Sequence, residues 1–474
     1  MDRFDRLIRA VGRDGLEKLQ KSVVTVVFDS VAGKYFGLPF AMSGMPVKLV
    51  GASQTGEDEK VIDIETSPGA RAHAYDSAFN QMTPMQNVAG IEGQLGYGNP
   101  ALFLENSKVI IDCTTDERSK AVALSYALKN QIPFISTSTI PGYAKMAVWR
   151  PGQDPSKHLF MNGMSTLEQK VDASRAALDV TTEIVAAFMS GIAADEAVKA
   201  VLGKDETTTA PLYFKLGDND DMFRPKTIDD ELMVLDPEMF REKSALVYGA
   251  GAVGANVGYW LARLGFGRVD FLDYDDVERS NVIRTFLYYD RVGFDKAFAA
   301  QGKVSFISDQ DTKSDAIIEK LTPDWNPSRG YDVYFDGFDN LYSRMLVSHR
   351  AIGDFTPLVS ASGRSDGFDL EVYVPNTTLC FDCNFGINDL GEKDEAKRRQ
   401  SCGREFTPQN TWINQSVGAL SSMMLANIFL PEQYGAVFNG MVTYDPQQPG
   451  RLFVQNKDGV CNHVKGGALE HNVR

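Results

Sequence analysis

IDCTTDERSKAVALSYALKNQIPFIST (residues 111–137) and FDGFDNLYSRMLVSHRAIGDFTPLVSA (residues 335–361) align without a gap. Asp112 faces Asp336 and Pro133 faces Pro357, both at an offset of 224 (336 − 112 and 357 − 133). Each segment reads as a short apolar strand, a helix with a period near 3.6, and a second apolar strand entered through proline. Two further pairs extend the duplication. VVTVVFDSVAGKYFG (23–37) resembles ALVYGAGAVGANVG (245–258), with Gly33 opposite Gly254 and Gly37 opposite Gly258. The apolar helix TTEIVAAFMSGIAADEAVKAVLG (181–203) resembles SVGALSSMMLANIF (416–429). The fold class is therefore α/β, with two tandem Rossmann-like, doubly wound units, since alternating strands and helices imply mainly parallel sheets with helices on both faces. The expected domains are 1–235 and 236–474, joined within the acidic stretch 216–242, GDNDDMFRPKTIDDELMVLDPEMFREK.

Composition narrows the function. The chain has 474 residues, 48 basic and 63 acidic side chains and a net charge of −15, which argues against nonspecific nucleic-acid binding. No apolar run approaches the roughly 18–20 residues that span a membrane. MDRFDRLIR is charged from its second residue, so no secretory signal is expected. Five cysteines in this length do not make a disulfide scaffold, and the expected location is the cytoplasm.

SALVY (244–248), GAGAVG (249–254) and the apolar-periodic ANVGYWLARLG give the strand, glycine loop and helix of a nucleotide fingerprint. Gly249 is expected to permit the turn, Gly251 to let backbone approach phosphate, and Gly254 to let helix and strand touch. RVDFLD ends in Asp273, nineteen residues after Gly254, where an acid accepts ribose hydroxyls. A cationic series follows. Asn281 and Arg284 lie one helical turn apart, Lys296 adds a further charge, and Asp339 follows a strand end where a carboxylate suits Mg²⁺ bound to phosphates. Such a series suits attack on a triphosphate, where charge develops on phosphoryl oxygens. An NAD-dependent oxidoreductase would share the glycines and Asp273. A non-catalytic nucleotide-binding scaffold is the third class.

LDYDDVERSNVIR, VGFDK and FDGFDNLYSR resemble the ThiF/MoeB and ubiquitin-activating adenylyltransferase family, with its L-D-x-D-x-V-x-x-S-N-x-x-R, G-x-x-K and D-x-x-D-N-x-x-x-R runs. RFDRLI (3–8) is similar to the family's R-Y-x-R-Q-I opening, with Leu7 in place of the usual Gln. The resemblance implies that Asp273 binds ribose, that Asn281, Arg284 and Lys296 contact phosphates, and that Asp339 holds Mg²⁺. Asn340 and Arg344 are implied to support the nucleotide. Arg6 matches the arginine that reaches a partner subunit's ATP; in a fused duplication it reaches from the first half into the second half's site, across an intramolecular pseudo-dimer. The implied reaction is MgATP-dependent adenylation of the C-terminal carboxylate of a ubiquitin-like or sulfur-carrier protein, or of a peptide or small-molecule carboxylate.

The first half is expected to be inactive. Phe28 and Ser30 replace the first two glycines, Asp29 places a carboxylate near the phosphate position, Gly51 stands where Asp273 does, and Thr115 replaces Asp339. A different ligand for this half is the other reading.

Cys380 and Cys383 form a C-x-x-C that in the family is often half of a structural zinc site. Here Cys461 and His463 stand in place of the second pair, so zinc, a disulfide and free thiols all stay open. Cys402 lies in the basic stretch KRRQSCGREFTPQN (397–410), where Lys397, Arg398, Arg399 and Arg404 favour thiolate. It is a candidate thioester nucleophile, a zinc ligand or an ordinary loop thiol. Cys113 and His349 read as structural.

Overall fold

The β-rich apolar runs assemble, in the computed structural model, into two large sheets. The structure describes residues 3–55, 59–61, 63–66, 68–83, 85–155, 180–204, 211–216, 222–223, 234–308, 311–365, 367–400, 410–446 and 452–461. The first sheet contains β1 (Val24–Val27), β2 (Val47–Gly51), β5 (Val88–Glu92), β6 (Val109–Asp112), β7 (Phe134–Ile140), β8 (Tyr143–Trp149) and β9 (Leu212–Lys215), in the order β5-β2-β1-β6-β7-β8-β9. A short hairpin of β3 (Lys60–Val61) and β4 (Ile64–Glu65) stands apart. The second sheet contains β10 (Ser244–Tyr248), β11 (Arg268–Leu272), β12 (Ala316–Ile317), β13 (Val333–Asp336), β14 (Leu358–Gly363), β15 (Phe368–Tyr373), β16 (Gly440–Tyr444) and β17 (Leu452–Asn456), in the order β12-β11-β10-β13-β14-β15-β16-β17. In each, the first five strands of that order run parallel and the remainder antiparallel.

The duplication is exact at the level of register. Val24 pairs with Val47 and Val109, and Ala245 pairs with Val269 and Val333. It extends to helix ends. Asp116 caps the helix Glu117–Asn130 by accepting from Ser119 N, and Asn340 caps Leu341–Asp354 by accepting from Ser343 N. Both helices stop on a left-handed residue, Gln131 at φ 54° and Phe355 at φ 57°. Within each half a buried aspartate ends the fourth strand of the repeat, Asp112 or Asp336, and burial raises the pKa of both.

The halves join through helices. Val180–Leu202 and Thr411–Phe429 pack on each other and on Gly33–Met42 and Ala252–Arg263. A Cβ on Gly191 would lie 2.1 Å from both Ser416 Oγ and the Trp412 carbonyl oxygen, so the long helices cross backbone to backbone there. Polar groups close the same seam: Gln415 Nε2 donates to Ser190 Oγ at 2.6 Å and Ser416 Oγ to the Phe188 carbonyl at 2.6 Å. One hydrophobic cluster runs through both halves. At its edge the buried Glu183 meets Lys34 Nζ at 2.9 Å and Arg263 Nη2 at 2.6 Å, and accepts from Tyr35 OH. Burial pushes this carboxyl up, but Arg263 and Lys34 outweigh it and hold it at about 2. No helix among the described residues is long and apolar enough to cross a membrane.

Glu183→Ala leaves two cations facing each other in the seam. It should cost about 3–5 kcal/mol in denaturant unfolding, with both halves unfolding together; a loss below 1 kcal/mol would show that the ion cluster is not what couples them.

Candidate active site

Beyond β10 the chain passes through Gly249–Gly254 into the helix Ala252–Arg263. Gly249 holds φ +83°, and a Cβ there would meet Phe338 at 3.0 Å. A Cβ on Gly254 would lie 1.9 Å from the Gly249 carbonyl oxygen, which is why strand and helix can touch only with glycine. A Cβ on Gly251 would meet nothing within 4 Å. Gly251 thus borders open space at a helix N-terminus that has no side-chain cap, so that end presents its N–H groups and positive dipole to an anion.

Asp273 follows directly on β11 and is buried. Its Oδ1 accepts from Asp275 N at 2.9 Å, and burial raises its pKa against the pull of Lys296. Lys296 heads the helix Lys296–Ile307 and places Nζ 3.0 Å from Asp275 Oδ2. Asn281 and Arg284 are both buried on and just beyond the short helix Arg279–Val282. The Asn281 Oδ1 accepts from Glu278 N at 2.8 Å, which commits its oxygen to capping that helix.

Arg284 is pushed down to about 10, first by burial and then by the nearby charge of Arg6, while Asp339 and Glu278 pull it back. Arg6 belongs to the first helix of the other half, Asp5–Gln20, and is itself buried. Burial lowers its pKa and Asp339 and Glu278 oppose that shift. Arg6 and Arg284 therefore lie within electrostatic reach of each other and of the exposed Asp339 on the loop after β13.

Asn340 and Arg344 brace the loop after β13. Asn340 Oδ1 is taken by Ser343 N at 2.8 Å. Arg344 donates from Nε and Nη2 to the Phe338 carbonyl at 2.9 and 2.8 Å, from Nη2 to the Ala361 carbonyl at 2.8 Å, and from Nη1 to Ser360 Oγ at 3.2 Å. Both side chains hold the loop that carries Asp339. Lys120 does the same in the first half, donating to the Thr137 carbonyl at 2.8 Å beside Asp112.

The first half's crevice is filled. Phe28 is buried, and a Cβ on Gly33 would lie 2.4 Å from its ring, which stacks on Tyr75 at 5.6 Å. Asp29 Oδ2 accepts from Thr115 N at 2.7 Å, Thr115 Oγ1 at 2.8 Å and Asp116 N at 3.2 Å, so a protein carboxylate occupies the donors at this strand end. Sequence reasoning missed Arg71, which heads the helix Arg71–Met82 as Lys296 heads its own. Arg71 is spent on a bidentate pair with Glu59 at 3.0 and 2.8 Å. Laying RAHAYDSAFNQM (71–82) under KAFAAQGKVSFI (296–307) would have found it.

The sulfur atoms of Cys380, Cys383 and Cys461 lie within 4.8 Å of one another, and Cys380 N donates to Cys461 Sγ at 3.2 Å. Tetrahedral zinc with bonds of about 2.3 Å sets sulfurs about 3.8 Å apart, so three thiolates here fit the ion. None of the four described cysteines is in a disulfide. Cys402 and His463 lie outside the described residues. Cys113 Sγ donates to the Val27 carbonyl at 3.3 Å, and His349 Nε2 lies 2.6 Å from Asn388 Oδ1, in line with structural roles.

A parallel sheet entered through a strand–glycine loop–helix turn, repeated in two halves, defines a tandem Rossmann-like α/β protein. The chain belongs to the ThiF family, which matches residues 62–230 and 229–430. It is 29% identical over 228 residues to the adenylyltransferase and sulfurtransferase MOCS3 of Drosophila sechellia, covering 47% of this chain and 50% of the relative. To MOCS3 of Mus musculus it is 33% identical over 145 residues, 30% of this chain and 31% of the relative. To the adenylyltransferase and sulfurtransferase UBA4 of Yarrowia lipolytica it is 29% identical over 165 residues, 34% of this chain and 40% of the relative. The chain thus spans about half the length, or less, of these curated relatives. Crystal structures of E. coli MccB, among them the one with MccA-N7isoASN, align at a TM-score of 0.40 and 18% identity over 47% of this chain and 66% of that one.

Two glycine variants separate packing from ligand contact. Gly254→Ala should destabilise the protein by about 1–3 kcal/mol, because its Cβ meets backbone. Gly251→Ala should leave unfolding within about 0.5 kcal/mol of wild type yet weaken ATP binding in calorimetry. Equal loss of stability in both would show that Gly251 serves packing alone.

Proposed function

We propose that this chain is an ATP-dependent adenylyltransferase that activates the C-terminal carboxylate of a ubiquitin-like or sulfur-carrier protein, or of a peptide. What supports this reading is an open Gly251 at an uncapped helix N-terminus together with Arg6 and Arg284 in electrostatic reach of Asp339. A cationic wall of this kind favours the charge that develops on a triphosphate. The adenylyltransferase relatives support the same chemistry.

A substrate carboxylate oxygen attacks the α-phosphorus. The bond to the β-phosphate breaks, and pyrophosphate leaves as an acyl adenylate forms. The side chains position and stabilise; none is a nucleophile in this step. Asp273 holds the ribose, the Gly251 backbone and Lys296 hold phosphates, and Arg284 and Arg6 face the developing charge. Asp339, a solvent-facing carboxylate next to that phosphate site, is the residue that suits Mg²⁺, which supplies neutralisation of the triphosphate's charge.

The division we propose is an inactive half, 1–235, that lends Arg6 and the seam, and an active half, 236–474. Cys380, Cys383 and Cys461 would hold a structural zinc that pins the segment after β17 to the helix Phe381–Phe385. The reading includes a reducing, cytoplasmic setting, in which those thiols remain metal ligands.

ATP–pyrophosphate exchange with candidate carriers tests the chemistry. Arg284→Ala, Asp339→Ala and Arg6→Ala should each lower exchange about 10²–10³-fold. Exchange that persists in Arg6→Ala removes the cross-half arginine, and a carboxylate-independent nicotinamide absorbance change removes the reading itself. For the metal, the purified protein should carry about one zinc per chain by elemental analysis, lost in Cys461→Ser together with a lowered Tm.

A further inference from the structure

Two asparagines at the start of the long helix Thr411–Phe429 have no part in the proposed chemistry. Asn410 precedes that helix and Asn414 lies one turn on, so both stand on one face. They are 4% and 0% exposed. Each amide nitrogen donates to a carbonyl: Asn410 Nδ2 to that of Ser365, and Asn414 Nδ2 to that of Arg284 at 3.4 Å. A carbonyl only accepts, so both amides are fixed with the oxygen turned the other way. Both oxygens are buried, and neither has a hydrogen-bond partner among the described residues. Asn410 makes no cap bond to its own helix either, although asparagine at that position commonly does.

A chain of contacts ties this face to the glycine loop. Asn414 holds the Arg284 carbonyl. The next residue, Thr285, donates from Oγ1 to the Ala252 carbonyl at 3.1 Å, and Ala252 adjoins Gly251. One turn further along the same face, a Cβ on Gly418 would lie 2.5 Å from Asn256 Cβ, and Asn256 Nδ2 donates to the same Ala252 carbonyl at 2.8 Å. Asn414 is therefore the nearer of the two to the loop, and Asn410 stands one turn away, toward Ser365. On the other side β14 ends at Gly363, where a Cβ would lie 2.4 Å from Asn414 Oδ1. Only glycine leaves that oxygen room.

We propose that Asn414 Oδ1 and Asn410 Oδ1 accept two backbone N–H groups of the substrate's carboxyl-terminal tail, the last peptide N–H and the one two residues before it. The inference rests on the adenylation reading and names its substrate class: a peptide carboxyl terminus held extended by its main chain, not a simple carboxylic acid, which has no such N–H. Alternate N–H groups of an extended chain point to one side, about 6.6 Å apart. Side chains four apart on a helix stand about 5–6 Å apart, so the two rows match. The order follows from placement. A tail whose carboxylate reaches the phosphate position beside Gly251 brings its last N–H to Asn414 and an earlier one to Asn410. A buried acceptor without a donor gains more from an arriving N–H than a hydrated one does.

The test uses the full chain and acyl sulfamates of adenosine, unreactive stand-ins for the acyl adenylate, that carry N-acetyltriglycine. Three twins each replace one N–H by an ester oxygen, at the last, the middle or the first glycine. Calorimetry reads Kd, with adenosine sulfamate as the parent compound. Wild type should lose about tenfold at the last and at the first position and about twofold or less at the middle one. Asn414→Ala should abolish the penalty at the last position alone, and Asn410→Ala that at the first alone. Each variant is scored by the ratio between twins, so a lower fraction of folded protein does not imitate the effect. Equal Kd across the twins, a penalty at the middle position as large as at the others, or penalties that survive both variants overturn the inference. Binding of the parent with no gain from the triglycyl group overturns the tail subsite and leaves the adenylation reading standing. A wild type that binds neither the parent nor any acyl sulfamate overturns the adenylation reading itself.

Discussion

The backbone contact at Gly191 sets the geometry of the rest of the molecule. Where Val180–Leu202 crosses Thr411–Phe429, no side chain separates the helices, and the first half is drawn onto the second closely enough for Gln415 and Ser416 to bond across. That closeness carries Arg6, on a helix of the first half, to within electrostatic reach of Asp339 and Arg284 in the second. The buried Glu183 with Lys34 and Arg263 adds orientation to the seam, since a desolvated carboxylate with two cations tolerates little displacement.

The two halves agree in scaffold and differ in their crevices. Strand order, register, helix caps and left-handed helix ends agree between halves. So does the brace at the fourth strand of the repeat, with Lys120 beside Asp112 and Arg344 beside Asp336. What differs lies in the crevices. Phe28, Asp29 and the Arg71–Glu59 pair fill one with groups that satisfy each other; glycines leave the other open beside Gly251.

The site was legible in the sequence where its parts are local. Gly249, Gly251, Gly254 and Asp273 follow from one strand–loop–helix–strand segment, and the turn at Gly249 and the close packing at Gly254 could be read from spacing because backbone geometry leaves few choices. Asn340 and Arg344 were not legible in the same way. A polar side chain near a motif can face a ligand or its own loop, and the spacing is the same in both cases; here the Phe338 carbonyl and Ser343 N take them. Arg71 is not legible in this way because its partner, Glu59, lies twelve residues earlier in the loop before β3.

The sequence by itself determined the duplication, the α/β class, the open glycine loop and the loss of that loop in the first half. These are encoded in periodicity, glycine placement and offsets that survive any packing. Only the tertiary structure decided which charges meet. The Arg6–Arg284–Asp339 group and the three clustered sulfurs come from segments far apart in the chain. Their chemistry depends on burial and distance, and neither is a property of a residue until the halves have closed on each other.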